Sequence, residues 1–264
     1  MAYPGLDPVA FAVGPVEVRW YGLAYVLGLV GAALVLRRLN RTWCMGLSDD
    51  DVVEVLLAAT LGVVLGARLG YVLFYDPGYY LSHPLEVLRV WSGGMSFHGG
   101  LAGIMVAAWV ESRRLKVTFL RLCDAGAVGA PIGLLLGRLA NFAKPELWGR
   151  VTGVSWGMVF PGAGPLARHP SQLYEAALEG AVLLVVLLLL SRRRRPDGFM
   201  IGTMVCLYGA FRIFVEFFRE PDAQIGFLLP GATMGQVLSL PLVAAGAWLV
   251  WRALREERTA GGDG

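Results

Sequence analysis

Four polar residues lie at the end of an apolar stretch of the chain, at Arg138, Asn141, Glu146 and Arg150. An ionisable side chain within a membrane helix costs roughly 2.5–3.5 kcal/mol on insertion scales, so such groups are typical of binding or reaction sites. Arginine offers a planar, permanently charged donor fork that fits phosphate oxygens. This pattern predicts a membrane-embedded site for a charged headgroup.

A second polar group follows the spacing of one helix face. Tyr208, Arg212 and Glu216 are spaced i, i+4 and i+8, and Arg219 follows three residues later. Residues at this spacing share one face of a helix. One interpretation is structural, with Arg212 and Glu216 neutralising each other along the helix. The other is that Arg212 binds an anion together with Arg138.

Proton chemistry at such a site points to His98. Histidine is the side chain whose unperturbed pKa lies near neutrality, so His98 is the natural proton acceptor. A relay through Glu216 and Tyr208 is the alternative base. A hydrogen-bonded structural role for His98 at a helix start also stays open.

The composition indicates a membrane protein with one domain. The chain has 264 residues, of which 56% are hydrophobic and 16% are charged, and its mean hydropathy is +0.59. A soluble domain usually carries about 25% charged residues. No polar linker divides the sequence, so we expect a single polytopic membrane domain over residues 1–264. The formal net charge of +3 is too small to indicate a nucleic-acid partner.

The sequence carries no pattern typical of a metal or nucleotide cofactor. Its three cysteines are scattered without the spacing of metal ligands, and we interpret them as packing residues. His98 has no paired cluster of His, Asp or Glu, which argues against a zinc or di-iron site. We therefore expect a site without a metal or cofactor.

Seven apolar runs are long enough to cross a bilayer as helices. Arginine-rich clusters follow the first, third, fifth and seventh runs, and the positive-inside rule makes that side cytoplasmic. We therefore expect an all-α integral membrane protein with its N-terminus outside and its C-terminus in the cytoplasm. The segment 140–171 is expected to form a small outer subdomain, with short strands near 151–160. The runs lie at approximately 20–38, 52–75, 97–112, 119–139, 172–190, 199–218 and 235–251.

This orientation brings polar side chains from six predicted helices to the outer leaflet. For Arg68, snorkelling to the interface or pairing with Glu175 are structural alternatives to a substrate role. Acids that follow Ser48 are typical of a helix cap and first turn. Asp124 is expected at the inner interface. The residues at the outer level are Tyr21, Arg68, His98, Arg138, Glu175 and the group from Tyr208 to Arg219.

A seven-helix transporter or receptor is the rival functional class. In that class the charged residues would line a path through the membrane, and polar residues would continue to the inner face. The inner halves of the fourth to seventh runs are almost purely apolar apart from Asp124, which disfavours a through-path.

Several blocks of the chain, in order, resemble the signatures of the bacterial prolipoprotein diacylglyceryl transferases. They extend from the first apolar run to the seventh, and such ordered agreement is far more specific than a single motif. The blocks are Arg-Trp-Tyr-Gly-Leu (19–23), Gly-Ala-Arg-Leu-Gly-Tyr (66–71), Gly-Gly-Met-Ser-Phe-His-Gly-Gly (93–100), the stretch 137–150, His-Pro-Ser-Gln-Leu-Tyr-Glu (169–175), the stretch 208–222 and Met-Gly-Gln (234–236).

The resemblance implies an inner-membrane enzyme whose active site opens toward the outer leaflet of a bacterial cell. It would move the diacylglyceryl group of phosphatidylglycerol to the lipobox cysteine of a preprolipoprotein, and sn-glycerol 1-phosphate would leave. The family's essential histidine falls on His98, its phosphatidylglycerol-binding arginine on Arg138 and its second essential arginine on Arg212. Its other polar site residues fall on Tyr21, Asn141, Glu146, Tyr208 and Glu216. Together with these, Arg68, Glu175 and Arg219 are expected to contact substrate.

Overall fold

The computed structural model describes residues 1–221, 227–229 and 232–261, and it is mostly helical. Among these residues, five helices are long and apolar enough to cross a membrane, judged by length and composition. A shorter apolar helix covers Phe199–Val215. This agrees with the prediction of an all-α membrane protein. The five long helices are Trp20–Trp43, Asp49–Phe74, Phe119–Ala143, Ser171–Leu190 and Met234–Thr259.

Each predicted apolar run is largely helical in the structure. A π-helical segment, Ala176–Val182, joins two α-helices into one continuous helix from Ser171 to Leu190. In the described part of the chain the α-helices are α1 (Trp20–Trp43), α2 (Asp49–Phe74), α3 (Pro77–Ser82), α4 (Phe97–Arg114), α5 (Phe119–Ala143), α6 (Ser171–Glu175), α7 (Leu183–Leu190), α8 (Phe199–Val215) and α9 (Met234–Gly261). Two 3₁₀ turns, Pro84–Leu88 and Val90–Ser92, follow α3.

The short strands predicted near 151–160 are not formed. Only isolated bridges pair Val151 and Met158 with Arg168 in the described part of the chain. The turns between Val151 and Met158 prevent a longer ladder of strand hydrogen bonds. Strands occur instead in two other places, near the N-terminus and within 227–233. In the N-terminal hairpin, Gly14 has a φ of 59° at the first position of a two-residue loop. Glycine is the residue that such hairpin turns favour. The antiparallel strand pairs are β1 (Val9–Val13) with β2 (Val16–Arg19), and β3 (Phe227–Leu229) with β4 (Ala232–Thr233).

The chain divides into two compact units. One consists of Met1–Leu36 and Asp124–Gly264, and the other of Arg37–Cys123. We call them the discontinuous unit and the central unit. The boundaries fall inside α1 and inside α5, so each of these helices contributes to both units.

Small residues bring helices together in the central unit. A Cβ atom added at Gly66 on α2 would overlap the backbone of Gly99 and Gly103 on α4, and the same holds for Gly62 against Gly103. Close backbone approach at small residues is the common way in which membrane helices associate. The glycines of the predicted second and third runs are therefore packing residues.

The cap predicted after Ser48 is present. The Ser48 hydroxyl accepts a hydrogen bond from the Asp51 backbone N–H, and the Asp51 carboxylate accepts one from the Ser48 backbone N–H. Asp51 and Glu54 also pair with Arg114 at 3.0 and 2.8 Å. The acids at the start of α2 are thus structural.

Asp124, expected at the inner interface, is buried inside the protein, and only 2% of it is exposed. Its two carboxylate oxygens each accept a hydrogen bond of 2.8 Å from the backbone N–H groups of Gly198 and Ile201. The first N–H groups of a helix have no intrahelical partner, and α8 begins at Phe199. A carboxylate from a distant part of the chain satisfies them, which is why Asp124 is buried.

We expect Gly66→Ala to destabilise the protein, because the added methyl group forces α2 and α4 apart. Overpacking of this kind typically costs about 1–3 kcal/mol. The measurement is the midpoint of thermal unfolding in detergent. Gly126→Ala on α5 is the matched control, since nothing lies within 4 Å of a Cβ at that position. Alanine is the better helix former, so the control is expected to unfold at the same or a higher temperature. Equal midpoints for wild type and Gly66→Ala would contradict the packing argument.

Candidate active site

Charged residues from three helical segments of the discontinuous unit meet around one glutamate. The Glu175 Oε2 atom lies 2.6 Å from Arg138 Nη2 on α5 and 2.9 Å from Arg212 Nη1 on α8. Glu175 itself is 0% exposed. One buried carboxylate therefore holds two guanidinium groups side by side, in the arrangement that suits an anion bridging both.

The ion pair that the helix-face spacing predicted is also present. Arg212 Nη2 lies 2.6 Å from Glu216 Oε1, one turn further along the chain. Glu216 in addition accepts a hydrogen bond of 2.6 Å from the Thr233 hydroxyl and lies 3.4 Å from Arg219 Nη1. Arg212 contacts both Glu175 and Glu216, so the two interpretations of this face, structural pair and anion site, are compatible.

Arg138 keeps part of its donor capacity for a ligand. Its Nη2 atom is the nitrogen that reaches Glu175, and the next carboxylate in the described part of the chain, Glu179, lies 3.9 Å away. The Arg138 side chain is 20% exposed, against 12% for Arg212. A guanidinium has five N–H donors in a planar fork, so Arg138 can bind an anion while it remains paired with Glu175.

A second polar cluster lies at and just after the C-terminal end of α5. The Tyr21 hydroxyl donates a hydrogen bond to Glu146 Oε1, and the Asn141 amide donates to both the Tyr21 oxygen and Glu146 Oε1. Lys144 Nζ lies 2.8 Å from Glu146 Oε2. Partial burial by itself raises the pKa of Glu146, but the hydrogen bonds from Lys144, Tyr21 and Asn141 outweigh it. The pKa of Glu146 therefore lies below its ordinary value.

The segment that follows this cluster is held by backbone contacts. The Gln172 side-chain amide donates a 2.6 Å hydrogen bond to the Glu146 carbonyl, and Arg150 Nε donates to the Arg219 carbonyl at 2.8 Å. A Cβ atom at Gly149 would overlap the carbonyls of His169 and Phe218, so only glycine fits there. These contacts tie the end of α5 to the start of α6 and the end of α8, the segments that carry the arginine site.

His98 and Arg68 belong to the central unit. His98 lies in the first turn of α4, is exposed, and makes an edge-on ring contact with Phe97 at 5.6 Å. Ser96 caps this helix by accepting a hydrogen bond of 3.2 Å from the Gly99 N–H.

Arg68 is 3% exposed, so the alternative that it snorkels to the interface is wrong. Its guanidinium donates hydrogen bonds to four backbone carbonyls of the loop between α3 and α4 and lies 5.1 Å from the centre of the Tyr80 ring. The side chain can be buried because these carbonyls satisfy it. The acceptors are Glu86, Val87, Gly93 and Gly94.

Nine predicted site residues lie in the discontinuous unit and two in the central unit. Tyr208, on α8, interacts electrostatically with Arg138, Arg212 and Glu175. The last residue of the block 208–222, Asp222, lies outside the described residues. The nine are Tyr21, Arg138, Asn141, Glu146, Glu175, Tyr208, Arg212, Glu216 and Arg219; the two are Arg68 and His98.

Sequence reasoning missed Glu179. This residue lies in the π-helical segment, is 0% exposed and is the second carboxylate near the two arginines. The available signal was its spacing, four residues after Glu175 in an otherwise apolar run.

Comparison with known proteins identifies the family. The family model described as prolipoprotein diacylglyceryl transferase matches residues 8–252. Several curated proteins named phosphatidylglycerol–prolipoprotein diacylglyceryl transferase are similar over nearly their full length. That of Geobacter sulfurreducens is 52% identical over 246 residues, which cover 93% of this chain and 95% of the relative. That of Methylocella silvestris is 54% identical over 264 residues, 97% of each chain.

The protein of that name from Oleidesulfovibrio alaskensis is 50% identical over 259 residues, 98% of this chain and 97% of the relative. The resemblance inferred from the ordered blocks is thus confirmed. Together with the match to the family model over most of its length, these relatives show that the chain belongs to the prolipoprotein diacylglyceryl transferase family.

Proposed function

We propose that this protein transfers the diacylglyceryl group of phosphatidylglycerol to the lipobox cysteine of a preprolipoprotein and releases sn-glycerol 1-phosphate. Its relatives of about 50% identity carry the name of this transferase. The structural observation that supports the proposal is the pair of arginines held on one buried carboxylate, because two adjacent planar donors suit the oxygens of a phosphodiester headgroup.

The proposed topology has seven membrane-crossing helices. They are α1, α2, α4, α5, the continuous helix Ser171–Leu190, α8 and α9, with the N-terminus outside and the C-terminus in the cytoplasm. The arginine-rich loops support this orientation. The protein then lies in the inner membrane of a bacterial cell, its active site faces the outer leaflet, and segment 140–171 lies on the outer side. Its partners are the lipid bilayer, phosphatidylglycerol and lipobox peptides.

The proposed reaction exchanges one bond at a glycerol carbon. The cysteine thiolate attacks the carbon of the diacylglyceryl group that is joined to the phosphate, a C–S bond forms, and the C–O bond breaks. The bonding electrons go to the phosphate oxygen of the departing glycerol phosphate. Arg138 and Arg212 stabilise the charge that grows there, since positioned donors in a site of low dielectric constant act most strongly on developing charge.

The Tyr21–Asn141–Glu146 cluster is proposed to bind the glycerol end of the headgroup. Glu146 is an ionised acceptor, and Asn141 is an amide on the same helix as Arg138, three residues away. Carboxylates and amides accept hydrogen bonds from hydroxyl groups. The cluster also supports the end of α5, so it positions Arg138 as well.

The thiol must lose its proton before it attacks, because the thiolate is the nucleophile. His98 is the proposed base. The relay through Glu216 and Tyr208 stays the alternative. The two hypotheses differ in whether substitution of His98 or of Glu216 abolishes turnover.

A transporter would need polar groups that continue through the membrane. In the almost purely apolar inner halves of the fourth to seventh runs, Asp124 is the acidic residue that could extend such a path. Both oxygens of its carboxylate instead accept hydrogen bonds from backbone N–H groups at the start of α8. This structural role favours the transferase over the transporter.

We expect Arg138→Ala to lower turnover at least about 100-fold, the loss typical for removing one donor that stabilises developing charge. The assay mixes the purified full-length protein with phosphatidylglycerol and a lipobox peptide, and follows glycerol phosphate release. Release from wild type must depend on the peptide cysteine. Arg255→Ala is the matched control, since Arg255 is exposed on α9 and contacts the Trp251 ring. Normal turnover by Arg138→Ala would refute the headgroup role.

We expect His98→Gln to lower turnover by about 10²–10⁴-fold, the usual contribution of a positioned acid or base. His83→Gln is the control, because His83 is an exposed loop residue that stacks on Tyr79. Glu216→Gln is measured in parallel. Near-normal turnover by His98→Gln, with loss of turnover in Glu216→Gln, would assign the base to the relay instead.

A further inference from the structure

A buried acid without a hydrogen-bond donor lies beside the arginine site. Glu179 is 0% exposed, and neither of its carboxyl oxygens has a hydrogen-bond partner among the described residues. The nearest cationic atoms are Arg212 Nη1 at 3.8 Å and Arg138 Nη2 at 3.9 Å. A buried charge is costly unless it is paired and hydrogen-bonded, so this arrangement requires an explanation.

The contrast with Glu175 indicates what Glu179 does. Both residues lie on the continuous helix Ser171–Leu190 and face the same two guanidinium groups. Glu175 Oε2 takes both short contacts, at 2.6 and 2.9 Å, as an ionised carboxylate does. Glu179 takes neither of them. The two acids are thus four residues apart but are bound differently.

The backbone explains how Glu179 comes to lie there. The π-helical segment Ala176–Val182 begins directly after Glu175 and alters the register that an α-helix would have. Single π-helical turns occur frequently at functional sites. Gly180 lies against Leu135 on α5, so closely that a Cβ would come within 2.7 Å of the Leu135 Cα. This contact brings Glu179 up to the helix that carries Arg138.

The charge balance at the site depends on Glu179. Arg138 and Arg212 face Glu175 and Glu179. Arg212 also pairs with Glu216, which in turn pairs with Arg219. The site therefore holds three arginines and three glutamates, and these six side chains carry no net charge when all three carboxyls are ionised. They carry one positive charge when one carboxyl is protonated. The phosphate of phosphatidylglycerol carries one negative charge. A net positive site attracts the lipid headgroup, whereas a neutral site makes Glu179 a competitor for the same guanidiniums.

We propose that Glu179 sets the charge of the headgroup site: as a neutral acid it allows Arg138 and Arg212 to bind the phosphate, and as a carboxylate it competes with the headgroup for them. The inference rests on the proposed function and adds a positioning residue to it. The proton that Glu179 takes up on lipid binding comes from water, and it returns to water when glycerol phosphate leaves.

The charged and titratable groups that interact with Glu179 in the described part of the chain enter this balance. Arg138 faces it from α5, and Arg212, Tyr208 and Glu216 interact with it from α8. Glu175 interacts with it from its own helix. Glu175 and Glu216 each pair with an arginine at short distance, which leaves Glu179 as the carboxyl whose protonation can change with ligand binding.

The test compares wild type with Glu179→Gln, which has the shape of the neutral acid and cannot ionise. The full-length protein in nanodiscs is assayed for glycerol phosphate release at several pH values. In wild type the KM for phosphatidylglycerol should rise with pH. In Glu179→Gln that rise should be lost, and KM at the alkaline end should be on the order of tenfold lower than wild type. The kcat of Glu179→Gln should be lower, because a side chain that cannot ionise does not compete with the departing glycerol phosphate for the two arginines.

Glu256→Gln is the matched control, since Glu256 is an exposed carboxylate that pairs with Arg252 on α9. It should keep the wild-type pH profile. A Glu179→Gln protein that unfolds at the wild-type temperature and shows the wild-type dependence of KM on pH would overturn the inference. So would a loss of kcat that is equal at every pH with KM unchanged, because that result indicates a purely structural role.

A measurement on wild type covers the case in which Glu179→Gln does not fold. Short-chain phosphatidylglycerol is titrated into the protein calorimetrically in two buffers of different ionisation enthalpy. Uptake of a proton on binding supports the inference, and binding without proton uptake overturns it. If wild type binds the lipid with proton uptake but releases no glycerol phosphate with the peptide, the proposed transferase function fails while the charge-setting role of Glu179 stands.

Discussion

A buried carboxylate that holds two guanidinium groups is the interaction on which the candidate site depends. Removing charges from water costs several kcal/mol per ion, and the attraction between them offsets this only when their geometry is good. Glu175 satisfies that condition with contacts of 2.6 and 2.9 Å to Arg138 and Arg212. As a result, α5, the helix Ser171–Leu190 and α8 must meet at the level of these three side chains.

The backbone of the discontinuous unit is built to allow this meeting. Gly180 lets the π-helical segment approach α5 at Leu135, and Gly149 lets the chain after α5 pass the carbonyls of His169 and Phe218. Gly202 on α8 packs in the same way against α9. Small residues at helix contacts shorten the distance between backbones, and long side chains such as arginine then reach partners on a neighbouring helix.

Much of the fold and of the site could be predicted from the sequence, because apolar length and residue type are local properties. The apolar runs predicted the helices, and the spacing of Arg212 and Glu216 predicted their contact. The ordered blocks identified the family. The strands expected near 151–160 were wrong, because turns interrupt the chain there. The capping role of Asp124 could not be predicted, because the backbone groups that it binds lie far along the chain. The bridges at 151 and 158 both involve Arg168, and Asp124 caps a helix that begins 75 residues later.

The sequence by itself determined which residues could act: two arginines for phosphate, a histidine for protons, and acids in apolar surroundings. Their chemistry belongs to the residue type and needs no partner. Only the tertiary structure decided how each one is used. Arg68 is committed to loop carbonyls, Glu175 to both arginines, and Glu179 to neither at hydrogen-bond distance. The physical reason is that the state of a buried charge is set by the donors and acceptors around it, and here these come from segments that are distant in sequence.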